Sequence, residues 1–164
     1  MKYRAFGKTG FMVSALGLGA MRLPSLPLLP GTVDTKKAIR LIRHAIDAGI
    51  NYIDTSPDYG YSEEQIGQHL SHRRGEFHIA TKCGCPIESP DVPFEARKPH
   101  DFSRANIRAV VEQSLNRMKT DHIDVVQFHL SPSRTVLETN DSLAELEALR
   151  TAGKVRFIGM SGTI

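Results

Sequence analysis

Short apolar runs of strand type alternate with stretches whose apolar residues recur at helical spacing, and the alternation persists from residue 15 to residue 162. Strands alternating with helices build parallel βαβ units with right-handed crossovers. This one feature leaves two architectures, an open doubly wound sheet or part of a (β/α)8 barrel. The strand runs are ALGLGAM (15–21), INYIDT (50–55), FHIATKC (77–83), IDVVQFHL (123–130) and VRFIGMSG (155–162). The fourth lacks polar alternation until its end, as a strand buried on both faces does. The first passes through Gly17 and Gly19, but no G-x-G-x-x-G opens a helix there, so a Rossmann fingerprint has little support.

The connecting segments carry helix signals. Asp34 is placed to cap a helix with Ala38, Leu41, Ile42, Ala45 and Ile46 on one face, and Gly49 is placed to end it in the left-handed region. Ser62 and Gln65 read as a capping box that opens a short helix through Leu70. Ser103 caps a helix whose Ile107, Val110, Val111, Leu115 and Met118 share a face. Asn140 to Ser142 start the last helix, with Leu143, Leu146 and Leu149 inward and Gly153 as its stop. Ahead of the first strand, the residues around Gly7 and Gly10 predict a β-hairpin, and a Pro-rich loop follows that strand. Between Cys83 and Phe102, Pro86, Pro90, Pro93 and Pro99 mark a long excursion of the kind compact domains keep for functional loops, here a candidate lid.

The 164 residues suffice for one domain with a real core, and no composition shift marks a second. With 40% hydrophobic and 24% charged residues the composition is globular, and no apolar run approaches a membrane span. MKYRAFGKTG lacks an apolar core after its charges, which argues against a secretory signal and for the cytoplasm. Cys83 and Cys85, separated by one residue, read as reduced thiols. A net charge of +3 suits an anionic small molecule, but no basic run or basic-aromatic stripe points to nucleic acid.

The chemistry lies at the ends of the strands. The second ends on Asp54, with Tyr59 just beyond, the third on Lys82 and the fourth on His129. Parallel strands bring their C-terminal ends to one rim, so these four side chains converge without special assumption. Each has a plain structural alternative: Asp54 as a turn former, Tyr59 as a packed ring, Lys82 as a solvated amine, His129 as a hydrogen-bonded interior histidine. Together they make one device. A phenol with a pKa of roughly 10 is a poor acid, and a neighbouring ammonium moves it toward the working range. Lys82 has that role, Asp54 keeps it charged, and His129 orients a substrate oxygen. Such a device suits carbonyl reduction with hydride from a nicotinamide.

These residues resemble the aldo-keto reductase family. GINYIDTSPDYG is similar to its G-x-N-x-x-D-T-x-x-x-Y-G block, ATK to its strand-three lysine and VVQFH to its strand-four histidine, so the resemblance implies Asp54, Tyr59, Lys82 and His129 as catalytic positions. GLGAMR resembles the loop that backs the nicotinamide. IGMSG resembles the Ser-Asn end of strand five, where the carboxamide is held, with Gly162 standing where many members have Asn. The implied cofactor contacts are Gly19, Ala20, Met21, Asp54, Ser161 and Gly162. The family implies a (β/α)8 barrel, NADP or NAD as cofactor, and a small aldehyde or ketone as substrate.

A complete barrel needs about 250 residues and eight strands. The expectation is therefore a partial barrel: one aldo-keto reductase-like domain over 1–164, truncated after the fifth strand, with impaired activity. Its open sheet edges invite self-association or a partner chain. Two other classes stand beside the reductase. One is a non-catalytic cofactor-binding or regulatory module of the same fold. The other is a metal-dependent barrel hydrolase, disfavoured because His129 stands alone at its strand end and the two thiols are unhelpfully spaced. No metal ligands are assigned. His44, His69, His72, His78, His100 and His122 read as solvated or capping residues.

Overall fold

The computed structural model describes residues 1–23, 35–89, 91–92 and 94–162. The expected cap Asp34, the Pro-rich loop at 24–34, Pro90 and Pro93 lie outside the described residues. Strands β1 (Tyr3–Ala5) and β2 (Met12–Ser14) form the antiparallel hairpin that the glycines predict, with Gly7 and Gly10 both at positive φ in its turn. The parallel sheet follows: β3 (Leu18–Gly19), β4 (Tyr52–Asp54), β5 (His78–Cys83), β6 (Ile123–His129) and β7 (Val155–Ser161). Their spatial order is β3-β4-β5-β6-β7, every neighbour parallel. Strand order never reverses, so there is no switch point of the doubly wound kind. The sheet is five consecutive strands of a (β/α)8 barrel wall.

Helices α1 (Thr35–Asp47), α2 (Ser62–Leu70), α3 (Arg104–Met118), α4 (Arg134–Thr139) and α5 (Ser142–Thr151) lie between the strands. Helix α1 buries Ala38, Ile42, Ala45 and Ile46 and ends before Gly49, whose φ is +89°. Leu41, expected on that face, is exposed because it falls at the edge of the stripe. Ser103 caps α3 by accepting from the Asn106 amide, and the five apolar residues of its face are buried as the spacing predicts. Four of them, Ile107, Val111, Leu115 and Met118, meet Ile66 and Leu70 of α2, Ile79 and Val126 of the sheet and Leu146 and Leu149 of α5 in one core.

One helix start differs from expectation. Ser62 does not cap α2. It is the first helical residue, and its buried hydroxyl accepts from Thr55 Oγ1 at 2.9 Å and donates to the Ala20 carbonyl at 3.0 Å. It thereby ties the end of β3 to the end of β4. Helix α4, capped by Ser133, precedes α5. In α5 the buried stripe is Ser142, Glu145, Leu146 and Leu149, so Leu143 points outward. Two buried positions there are polar: Ser142 bonds the Phe102 carbonyl and Glu145 pairs with Arg104 and Arg108, which disguises the true face in the sequence.

The hairpin covers the N-terminal ends of the strands. Asn51, just before β4, accepts from the Ser14 amide at 2.6 Å and donates to the Met12 carbonyl at 2.8 Å. Phe11 stacks on His78 and meets Phe157 edge-on. That end also holds Asp124, buried and paired with Arg74 at 2.6 Å. Barrel bottoms carry stability, and the opposite rim is left free for chemistry. No helix among the described residues is long and apolar enough to cross a membrane.

Candidate active site

The sheet register sets the rim. Gly19 lies beside Asp54, Lys82 beside Gln127 and His129 beside Ser161, each pair on adjacent strands near their C-terminal ends. Lys82 is among the largest buried side chains of the protein, with 2% of its surface exposed, so it is no solvated amine. Its ammonium donates to both carboxylate oxygens of Asp54, at 2.8 and 2.7 Å, and to the Thr55 carbonyl at 3.0 Å. Gln127 adds a longer bond to Asp54 at 3.3 Å. Thr55 and Gln127 were not singled out from sequence, although Gln127 stands two residues before His129 on the same strand.

The Lys82 ammonium lies 5.9 Å from the centroid of the Tyr59 ring, and the Tyr59 and His129 rings meet edge to face at 6.4 Å. All four predicted catalytic residues therefore share one rim. One expectation about them is corrected. The Tyr59 phenol is pushed above the usual tyrosine range, chiefly by burial and then by the negative charges of Asp54, Cys85 and Asp58. The ammonium alone would lower it, but burial and these negative charges prevail. Tyr59 is thus a neutral phenol at physiological pH, which a proton donor must be.

His129 does not stand alone. Its Nδ1 has His100 Nε2 at 3.1 Å, Cys85 Sγ at 3.3 Å and Asp58 Oδ2 at 3.4 Å. Asp58 Oδ2 is also 3.1 Å from His100 Nε2. His100 is half-buried here, correcting its reading as a solvated or capping residue. Burial works to raise the Asp58 carboxyl, but hydrogen bonds and charge from His100 and His129 prevail and hold it well below the usual range. The Cys85 thiol is pushed up by burial and by Asp58, and Cys83 by burial. Both cysteines are free thiols. Sequence reasoning missed Asp58, Cys85 and His100 as a group. Asp58 sits next to Tyr59, Cys85 is two residues past β5, and only the return of the long loop brings His100 beside them.

That loop is tied over the rim. Arg97 Nη1 donates to the Asp58 carbonyl at 2.7 Å, and the Asp101 amide donates to the Gly84 carbonyl at 2.9 Å. Gly84 has φ +85°, and a Cβ there would stand 2.2 Å from the Phe102 ring. Only glycine lets the chain turn here with the ring in place.

The positions implied for a nicotinamide differ in their fit. Gly19 is exposed with open space where a side chain would stand, and Met21 is exposed beside it. Ala20 is buried, its amide donating to the Asp54 carbonyl at 2.8 Å, so it fixes the rim through its backbone. Ser161 ends β7 next to His129. At Gly162 a Cβ would fall 2.1 Å from Ser131 Oγ, so an asparagine cannot stand there unless Ser131 moves. The first-strand side fits a flat ring, and the fifth-strand end offers Ser161.

Fold and site together define a (β/α)8-type protein whose candidate chemistry is gathered on the C-terminal rim. Residues 15–163 match the Aldo/keto reductase family, and the chain belongs to it. It is 33% identical over 168 residues to L-galactose dehydrogenase of Arabidopsis thaliana, an alignment covering 99% of this chain and 49% of the relative. It is 33% identical over 169 residues to NADH-specific methylglyoxal reductase of Escherichia coli K12, covering 97% and 51% respectively. The holo form of an aldo-keto reductase from Bacillus halodurans superposes with a TM-score of 0.82 at 32% identity, over 99% of this chain and 50% of that one. The chain spans about half the length of the curated relatives it matches.

Proposed function

We propose that these residues form the proton-donating rim of a nicotinamide-dependent reductase that converts a small aldehyde or ketone to an alcohol. The observation that carries this reading is the buried Lys82 ammonium, clasped by Asp54 and facing the Tyr59 ring at a shared strand-end rim. In this reading the Tyr59 hydroxyl gives its proton to the carbonyl oxygen as charge develops there. Lys82 stabilises the phenolate left behind, Asp54 holds Lys82 charged and aimed, and His129 orients the carbonyl. A nicotinamide bound along Gly19, Ala20, Met21, Asp54 and Ser161 supplies the hydride. NADP is the first expectation and NAD the alternative, since one relative is named NADH-specific. Free buried thiols support a reducing, cytoplasmic setting.

Residues 1–164 by themselves are expected to bind NADPH weakly and turn over slowly, because barrel phosphate sites are frequently built by the loops after strands seven and eight. The test is NADPH and NADH oxidation with a panel of aldehydes and ketones. It is run on this chain and on a chimera in which a family relative's C-terminal half completes the barrel. Tyr59→Phe in the chimera should lower carbonyl-dependent oxidation by roughly a hundredfold or more while cofactor binding persists. Unchanged turnover in that variant would refute the assignment.

A further inference from the structure

We propose that Asp58, Cys85, His100 and His129 form a binding site for one borderline-soft divalent cation of the zinc type, a ligand that carbonyl reduction does not call for. Their donor atoms all lie within 4.8 Å of one another. A tetrahedral zinc ion with bonds of 2.0–2.3 Å holds its ligand atoms about 3.3–3.8 Å apart. The spacings His100 Nε2 to His129 Nδ1, His100 Nε2 to Asp58 Oδ2, Cys85 Sγ to His129 Nδ1 and Asp58 Oδ2 to His129 Nδ1 are 3.1, 3.1, 3.3 and 3.4 Å. Four of the six edges are thus close to or slightly shorter than those of a coordination tetrahedron, and the two from Cys85 to His100 and to Asp58 stay within 4.8 Å.

Hydrogen bonding alone does not account for this convergence. A ring nitrogen carries either one proton or one lone pair, so it makes one good hydrogen bond. Yet His129 Nδ1 faces a nitrogen, a sulfur and an oxygen at once, and His100 Nε2 faces two partners. Protons leave some of these close polar contacts unsatisfied, whereas one cation engages all four donors together. Two ligands can be anionic, a carboxylate and a thiolate, which neutralises a doubly charged ion in a site where Cys85 is buried and the other three are less than a fifth exposed. Thiolate and imidazole donors favour zinc-type ions over magnesium or calcium.

The ligands come from four segments: the loop after β4, the residue two past the Lys82–Cys83 strand end, the long loop, and the end of β6. The ion would therefore staple the long loop to the rim. Ser56 Oγ, 3.6 Å from Cys85 Sγ, and Arg97, 3.9 Å from the other Asp58 oxygen, form an outer layer that orients two ligands. Occupancy fixes His129 through Nδ1 and leaves Nε2 as its remaining donor.

The test is calorimetric titration of the chelator-stripped chain with zinc chloride, with magnesium chloride as comparison, and the absorption spectrum after cobalt(II) addition. One equivalent of zinc should bind and magnesium should not. Cobalt should give intense tetrahedral bands with a sulfur-to-metal charge-transfer feature, lost in Cys85→Ser. His100→Ala should weaken zinc binding by roughly tenfold or more, whereas His122→Ala, on the exposed pair with Asp121, should leave it unchanged. Absence of zinc uptake by the folded chain, a cobalt spectrum without the sulfur feature, or unaltered affinity in both ligand variants would each overturn the proposal. Circular dichroism reports whether a variant folds, and the wild-type cobalt spectrum decides the matter if one does not. Zinc binding by a barrel-completed chimera that reduces no carbonyl would leave this inference standing and remove the reductase reading, and carbonyl reduction by that chimera without zinc uptake would do the reverse.

Discussion

Both carboxylate oxygens of Asp54 hold the ammonium of Lys82, at 2.7 and 2.8 Å, on a side chain that keeps 2% of its surface. Asp54→Asn leaves that ammonium facing a neutral amide and the Thr55 carbonyl. Breaking a sealed ion pair costs about 3–5 kcal/mol, but Asp54 is 36% exposed and water takes up part of the loss, so about 1–3 kcal/mol is expected. Urea unfolding measures it. A variant as stable as the parent would mean that the clasp contributes nothing to folding.

Burial and nearby negative groups raise two phenols, one at the start of β4 and one just beyond its end. Tyr52 is pushed up to about 12, by burial first and then by Asp54 and Asp124, and Tyr59 is raised by burial and its own negative neighbours. A folded pKa above the unfolded value of roughly 10 makes the stability from the neutral form fully present below pH 10 and lost as pH rises toward 12. Unfolding free energy should therefore be flat near neutrality and fall across that alkaline window. Ultraviolet titration of the parent against Tyr59→Phe should show the missing phenol ionising later than free tyrosine. Ionisation below that of free tyrosine would contradict the described environment.

Asp124, at the base of the sheet, accepts from the Ile79 amide at 2.9 Å and from Arg74 at 2.6 Å, with Arg156 at 3.2 Å. Burial works to raise its carboxyl, but the Ile79 amide and Arg74 prevail and depress it. A depressed carboxyl contributes stability that is present above the unfolded value of about 3.9 and is lost as pH falls through the folded one. Asp124→Asn should cost about 3 kcal/mol at neutral pH and flatten the acid limb of the stability profile. An acid limb unchanged in the variant would assign that limb to other carboxylates.

The succession of strands and helices, the hairpin and the rim positions were legible because each rests on local signals that agree, whereas the choice of a barrel came from the family resemblance. The βα alternation, positive-φ glycines and strand-end Asp54, Lys82 and His129 all act within a few residues. What escaped depended on contacts across long sequence separations. Glu145 and Ser142 are buried by partners about 40 residues away, so α5 turned a face that apolar spacing alone did not select. Ser62 looked like a cap until Thr55 and Ala20 claimed its hydroxyl. His100 is 29 residues from His129, and no spacing rule joins a loop histidine to a strand-end one. The Tyr59 shift runs against expectation because burial first, and then the negative charges of Asp54, Cys85 and Asp58, outweigh the ammonium.

The turn at Gly84 decides whether the long loop can lie over the rim. Alanine there must adopt φ +85° and place its methyl 2.2 Å from the Phe102 ring. Left-handed strain of about 1–2 kcal/mol adds to an overpacking term of similar size, so Gly84→Ala should lose about 2–4 kcal/mol. Phe102 cannot simply retreat. Its carbonyl accepts from Ser142, and its ring lies against His100 and Phe128. Trimming the ring in Gly84→Ala/Phe102→Leu relieves the clash but not the backbone strain, so it should recover part of the loss. Gly75→Ala, where a methyl meets nothing within 4 Å, should change stability by less than about 0.5 kcal/mol. Thermal and urea unfolding of the three variants distinguish the terms. Full recovery in the double variant would leave no role for the left-handed backbone, and no recovery would remove the ring as the cause.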